Sequence, residues 1–400
     1  MQILFIASRF PYPITQGDRS RAYHQLRLLS CQHRITLVTP EPNVNVEAST
    51  KAVEPLCVRI VTPHRSRLRQ LGRLAGAVLS GQPFQTAYYF PPTVHAIVRS
   101  LLCTGSYDLI HVQTARMAPV ADASYRVPMV VDLIDALSLN WSRRADRERI
   151  FPVALGARLE AGRLARYERQ IVAQYDHVLV SSPVDKQAVG SADKVHVIPN
   201  GVDLEQFPYR TDGREADTIV FTGRMAYFPN ADAAVWFATE ILPMIRAQVP
   251  QARFQIVGAD PPRRVKQLHN IPGVVVAGYV PCMSDYLARA AVAVAPMRAG
   301  SGMQIKILEA MACGTPMVVT PYASAGVEAE HKVHFLVAGD AAQFAKEVVS
   351  LLRDPLKGRE MARRARYLVE EKYTWERSVT MLEAVYEQAT CREQPTGPSS

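Results

Sequence analysis

Four hundred residues, 48% apolar and 21% charged, describe a globular chain too long for one compact core, so two domains of about 200 residues each are expected. The absence of any apolar run of about 18 residues excludes a membrane-spanning helix, and the formal charge of +9 admits an acidic substrate, an anionic membrane or nucleic acid. Nucleic acid is disfavoured because the arginines are not interleaved with aromatic stacking residues. Cys31, Cys57, Cys103, Cys282, Cys313 and Cys391 form no C-x-x-C or metal-type spacing. They read as free thiols of a cytosolic protein, with no metal and no other cofactor.

From the N-terminus, the apolar stretch 3–7 is too short and too closely followed by Arg9 to be a signal peptide. Strand-like runs fall at 3–7, 35–39, 58–62, 109–112, 129–132, 178–180 and 195–198, and again at 218–222, 253–257, 274–277, 292–295, 317–320 and 334–337. They are separated by helical patterns, which predicts an α/β chain of two parallel sheets with helices on both faces. The first strand leads into a Pro-rich loop, 7–17, with no G-x-G-x-x-G, so a dinucleotide dehydrogenase loses its main support; a helix follows over 19–30.

Arg65, Arg67, Arg69 and Arg73, with Leu68, Leu71, Ala75 and Leu79 between them, predict an interfacial amphipathic helix suited to an anionic membrane surface. A second basic run, Arg143 to Arg169, reads as a solvated helix face, half neutralised by Asp146, Glu148, Glu160 and Glu168. A polar stretch, 208–217, reads as the interdomain linker. The division expected is 1–200, 201–374, a crossing helix 375–390, and a disordered polar tail 391–400.

The densest segment is Gly300-Ser301-Gly302-Met303-Gln304-Ile305-Lys306-Ile307-Leu308-Glu309, continuing to Gly314 and Pro316. It reads as a small-residue loop at the carboxyl end of a parallel strand, opening a helix whose apolar face carries Ile305, Leu308 and Ala312. Free N–H groups from Ser301 through Ile305, aided by the helix dipole, suit a diphosphate; Glu309 can chelate paired sugar hydroxyls, and Lys306 adds positive charge one turn earlier. On the helix alone, Lys306 and Glu309 can equally be a surface i,i+3 ion pair.

This segment resembles the donor-nucleotide motif of the retaining GT-B glycosyltransferases of family 4, E-x7-E followed by A-M-A-x-G-x-P. Glu309 matches the second glutamate, while Ser301 stands in place of the first, which puts the identity of the donor sugar in question. The segment from Pro199-Asn200-Gly201-Val202-Asp203 to Phe207 is similar to the family's hinge. Gly223-Arg224 matches its G-R-L motif, whose arginine holds the diphosphate; the usual partner lysine is missing where Tyr227-Phe228-Pro229-Asn230 stand, and Lys306 is expected to replace its charge. Gln16-Gly17-Asp18 falls on the family's glycine-rich first loop with only Gly17 retained, and Tyr279 after Gly278 falls beside the nucleobase.

Asp135 occupies the place of a histidine under the anomeric carbon in relatives. Either it steadies oxocarbenium-like charge or, with Ser138, it caps the next helix; Asp132 reads as a turn or core residue, and His111 as cleft-lining or structural. The resemblance implies two Rossmann-like domains facing across a cleft, with the last helix crossing back to the first domain. It also implies a metal-independent retaining transfer from a nucleoside-diphosphate sugar, UDP favoured, with catalysis by Asp135, Arg224 and Lys306. The acceptor implied is lipid-linked or a growing glycan, reached in the cytoplasm, with the protein peripheral on the membrane. Rival readings are a non-catalytic nucleotide-sugar-binding subunit and a GT-B sugar-nucleotide epimerase, for which cleft histidines and carboxylates are few.

Overall fold

All thirteen expected apolar runs are strands, and every strand pairing in the computed structural model is parallel. The structure describes all residues except 43–44, 64–75, 78–80, 92, 123, 149 and 392–400. The amphipathic segment with Arg65, Arg67, Arg69 and Arg73 lies outside the described residues. The chain forms two compact units, Met1–Pro199 with Ser378 onward, and Asn200–Arg377.

The first unit contains β1 (Gln2–Ile6), β2 (Arg34–Val38), β3 (Arg59–Val61), β4 (Leu109–Gln113), β5 (Met129–Ile134), β6 (His177–Val180) and β7 (Val195–Val197). Their order is β3-β2-β1-β4-β5-β6-β7. The second contains β8 (Glu215–Thr222), β9 (Arg253–Val257), β10 (Val274–Gly278), β11 (Ala290–Ala295), β12 (Met317–Val319) and β13 (Leu336–Val337), ordered β10-β9-β8-β11-β12-β13. Continuous apolar strands such as Ile3–Ile6 and Val292–Ala295 are buried because helices cover both faces of each sheet. In each unit the chain works outward on one side of its first strand, then returns to the other. This leaves topological switch points beyond the carboxyl ends of β1 and β4, and of β8 and β11, where open parallel sheets leave a crevice.

The polar stretch 208–217 is not a linker. Glu215 already belongs to β8, and the Arg214 guanidinium donates to the carbonyls of Arg210 (2.7 Å), Ala290 (2.8 Å) and Gly314 (2.6 Å), so its polar residues tie backbone inside the second unit. The last helix, Trp375–Thr390, starts in the second unit and ends in the first. There Val379, Leu382, Val385, Tyr386 and Ala389 join a core with Ile3, Phe5, Leu26 and Leu37. Among the described residues no helix is long and apolar enough to cross a membrane.

A buried polar network sits beneath the first sheet's switch point. Arg21, on the helix Gly17–Leu29, donates through Nε to Asp132 of β5 at 2.6 Å, both side chains fully buried, and Gln25 donates to the same oxygen at 3.0 Å. The other Asp132 oxygen accepts from the Ile134 N–H (3.1 Å), so Asp132 is a core and turn residue. His111 is structural too: it stacks on Phe5, its Nδ1 lies 2.7 Å from the Tyr386 hydroxyl, and burial pushes it down to about 4. Replacing Arg21 by Leu should therefore strand a buried carboxylate and destabilise the protein by about 3–5 kcal/mol. Chemical denaturation checks this, and a loss below about 1 kcal/mol, the scale of an exposed pair, would show that Asp132 does not depend on the guanidinium.

Candidate active site

At the second switch point the chain leaves β8 through Gly223, whose φ of 142° is open only to glycine, and the Gly223 N–H donates to Val257 O at 3.0 Å. Gly258, at the end of β9, presses on the Gly223 carbonyl so closely that any Cβ there would overlap it. Arg224 follows and is exposed; its guanidinium pairs with Asp260 (2.9 Å), a residue itself in the left-handed region at φ 55°. Tyr279 stands just past the end of β10, 70% exposed, after Gly278 at φ 71°.

Across the switch, β11 runs into the loop 296–304. Gly300 (φ 117°) and Gly302 (φ 72°) provide its turns, the Tyr322 hydroxyl donates to Gly300 O (2.7 Å), and Gly326 packs closely against the Gly302–Met303 backbone. Ser301 and Met303 are buried, while Gly302 and Gln304 are half-buried. The helix Ile305–Ala312 then begins at Gln304 without a side-chain cap, so its first-turn N–H groups are not taken by a capping residue.

The helix is not half-exposed with an ion pair on its surface. Ile307, Leu308, Ala310, Met311 and Ala312 are all buried, because the helix is enclosed in the second unit's core; only Ile305 and Glu309, one turn apart, remain half-accessible. Lys306 points the other way, into the protein. Its ammonium donates to Asn230 Oδ1 at 2.5 Å, lies 3.7 Å from the Met297 sulfur, and sits 4.7 Å above the Phe221 ring. Among the described residues no carboxylate pairs with it. Burial pushes Lys306 down to about 7, with Glu309 pulling the other way, and burial lifts Glu309 to about 7 against Lys306. Each charge disfavoured by desolvation is partly supported by the other at a distance.

Asn230 was not singled out in the sequence as a site residue, yet it joins the parts. It accepts from Lys306 and, through Nδ2, donates to Arg224 O at 2.9 Å. The sequence signal available was its position in the segment lacking the usual lysine. The structure thus gathers Gly223, Arg224, Ser301 to Lys306 and Asn230 around the β8/β11 crevice. Lys306 and Glu309 share the helix without direct contact.

The first unit's switch point carries a second cluster. Gly17 opens the helix Gly17–Leu29, and the loop before it is clamped by Arg9, which bonds Gln16, pairs with Asp18 at 3.1 Å and donates to the Tyr89 hydroxyl at 3.0 Å. Arg116 lies 3.7 Å from Asp18 and 4.6 Å over the Tyr89 ring. None of Arg9, Tyr89 and Arg116 stood out in the sequence. Asp135 follows Ile134, a β-branched residue at φ 68°, where the β5–β6 register shifts. Such a strained turn at a strand end marks a position where side-chain aim is constrained. The cap position of the helix Leu137–Arg147 is Ala136, not Asp135, and the Ser138 N–H is taken by Glu168 at 3.0 Å.

Paired parallel α/β units with these switch-point crevices are the architecture of GT-B glycosyltransferases. Over 98% of the chain the fold matches the sucrose-phosphate synthase of Thermosynechococcus elongatus, all of which is covered, at a TM-score of 0.73 and 19% identity. Over 97% it matches Anabaena HepE, solved in complex with UDP and glucose, again over its full length, at 0.68 and 17%. A Glycosyltransferase Family 4 model matches residues 23–206, and a Glycosyl transferases group 1 model matches 216–354. Among curated proteins, an uncharacterized 44.6 kDa protein in the cps region of Klebsiella pneumoniae is 20% identical over 93% of this chain and 96% of its own length. The phosphatidyl-myo-inositol mannosyltransferase of Mycobacterium leprae is 25% identical over 74% and 78%. The chain belongs to the group 1, family 4 GT-B glycosyltransferases.

A Cβ at Gly223 would lie 2.8 Å from Asn230 Nδ2 and 3.1 Å from Lys306 Nζ, in a backbone conformation side chains rarely adopt. Gly223→Ala is expected to destabilise the protein by about 1–3 kcal/mol, as strained backbone positions do. A melting curve unchanged from wild type would show that the Asn230–Lys306 pair yields without strain.

Proposed function

We propose that this glycosyltransferase takes its sugar from a nucleoside diphosphate, UDP favoured, and transfers it with retention and without a metal. The observation that carries the reading is the buried Lys306 ammonium at the crevice, which bonds Asn230 and, among the described residues, pairs directly with no carboxylate. A diphosphate seated on the loop 300–304 and the first turn of the following helix supplies the missing negative charge, with the Arg224 guanidinium turning from Asp260 to the phosphate oxygens. The Glu309 carboxylate, half-accessible and without a protein donor among the described residues, chelates the ribose hydroxyls, and Tyr279 borders the base. HepE's structure with UDP supports the choice of base.

As the sugar–phosphate bond breaks, Arg224, Lys306 and the helix N–H groups stabilise charge arriving on the leaving diphosphate. Asp135 is the carboxylate we assign to the oxocarbenium-like carbon, supported by the strained turn that aims it. Retention then follows from attack on the face the phosphate leaves, the phosphate itself taking the acceptor proton. The Arg9–Arg116 cluster of the first unit, two guanidiniums sharing one carboxylate, suits an acceptor that carries phosphate, as a lipid-linked glycan does. Six free cysteines fit a cytoplasmic setting, and the acceptor places the protein at the membrane periphery.

Glu309→Gln should weaken UDP binding by about 1–3 kcal/mol, the range for a hydrogen bond to a charged group; calorimetric affinity equal to wild type would remove Glu309 from the ribose site.

Lys306 also makes donor binding pH-linked. Its folded-state value is lowered to about 7, so above that pH the free protein holds it mostly neutral. The diphosphate raises it again and a proton is taken up. UDP affinity should then fall about tenfold per pH unit above 7. Calorimetry near pH 8 in buffers of different ionisation enthalpy should show uptake close to one proton, absent in Lys306→Met. Equal uptake in that variant would mean that the proton goes elsewhere.

A further inference from the structure

The helix Phe151–Gln174 buries Ala157, Ala161, Leu164 and Ile171, yet it exposes a row of large apolar side chains in its first half. Its only two carboxylates, Glu160 and Glu168, are on the buried face at 2% and 1% exposure. Both are spent inward: Glu160 accepts from the Phe84 N–H at 2.8 Å, and Glu168 accepts from the Ser138 N–H and hydroxyl. They therefore face away from the exposed Arg158, Arg166 and Arg169, although Arg163 acts electrostatically on Glu160, so the half-neutralised face expected from the sequence is not formed there.

The outward face is apolar at one end and basic at the other. Phe151 (76% exposed), Leu155 and Leu159 (61%) recur every four residues, forming one stripe. Ile150 and Val153 beside them are exposed as well. Arg158, Arg166 and Arg169 continue the same face, two turns beyond Phe151, Leu159 and Gly162 respectively, and all three are exposed. Arg166 and Arg169 have no carboxylate partner among the described residues. Among the described residues Arg158 reaches only the exposed Asp146, at 3.8 Å. The bond from Phe84 to Glu160 brings the helix Phe84–Tyr89 alongside, adding exposed Phe84 and Tyr88, and Arg163 lies 5.0 Å over the Phe84 ring. A soluble surface normally hides such leucines and shows such glutamates, so the face is shaped for an apolar partner whose rim is negative.

We propose that this face docks on an anionic lipid bilayer, with Phe151, Leu155 and Leu159 entering the interface and Arg158, Arg166 and Arg169 meeting the headgroups. This gives the lipid-linked acceptor a defined surface, and to that extent rests on the acceptor reading above; the docking itself requires no acceptor and no donor.

The test uses full-length protein and vesicles of phosphatidylcholine with or without phosphatidylglycerol, at low and high salt. Wild type should float with anionic vesicles and much less with neutral ones. L155Q/L159Q should lower partitioning about tenfold at both salt levels, through lost apolar insertion. R166Q/R169Q should lower it about tenfold at low salt and flatten the salt dependence. UDP calorimetry on every variant confirms a folded donor unit, and failure of wild type to bind UDP would sink the donor reading while leaving the flotation result standing. Equal recovery with neutral and anionic vesicles, or wild-type flotation by both variants, overturns the proposal. So does loss confined to R65Q/R67Q/R69Q/R73Q, which would assign docking to that segment. Light scattering showing that L155Q/L159Q merely splits a dimer, without vesicle binding by wild type, overturns it in favour of a second copy.

Discussion

A lysine ammonium enclosed by an amide oxygen, a thioether and an aromatic ring is an unstable possession for a folded protein. Desolvation penalises it, and a single hydrogen bond to Asn230 with the face of Phe221 offsets only part of that penalty. Much else in the second unit is arranged around it. Gly223 leaves out the Cβ that would press on Lys306 and Asn230, and Asn230 spends its other donor on the Arg224 carbonyl. The Lys306 ammonium is thus held inside the second unit, next to the β8/β11 crevice, by partners that carry no full charge. Electrostatic preorganisation of this sort is most effective where water is excluded and the dipoles need not turn when charge arrives.

Both units place some of their unusual backbone at the carboxyl ends of strands. Gly223, Gly258 and Gly278 take positive φ after β8, β9 and at the end of β10; in the first unit Thr114 and Ile134 do so without the freedom of glycine. The difference separates two uses of one topology. Glycine brings backbone close to a ligand at little strain, whereas a β-branched residue in the left-handed region persists only where its surroundings hold it, as the Asp132 carboxylate and the Ser181 N–H hold the turn at Ile134.

The strands were legible because parallel sheets covered on both faces write themselves as unbroken apolar runs. The helix at 305 was legible from its glycines and proline. Its environment was not: the same letters suit an exposed stripe or an enclosed rod, and the choice falls to the packing of strands and helices distant in sequence. Likewise the partner of Lys306 lies 76 positions away, and the fates of Glu160 and Glu168 were decided by Phe84 and Ser138 on other helices. Arg9, Tyr89 and Arg116 meet only because β1 and β4 are neighbours in the sheet while the chain between them wanders for about a hundred residues. Local pattern reports which faces are apolar; it does not report which polar group a buried polar group will find.

The helix Trp375–Thr390 has a consequence for biosynthesis. Domains emerging from the ribosome ordinarily fold in order, the N-terminal one first. Here the sheet that begins with Gln2–Ile6 stays uncovered along the surface meant for Val379, Leu382, Val385 and Tyr386, and His111 waits for the Tyr386 hydroxyl, until residues 379–389 have been made. The second unit, whose residues are contiguous from Asn200 to Arg377, is complete before the first can close. The nascent chain therefore matures from the middle outward, and a chain cut just after Arg377 would hold a finished second unit attached to an open first one.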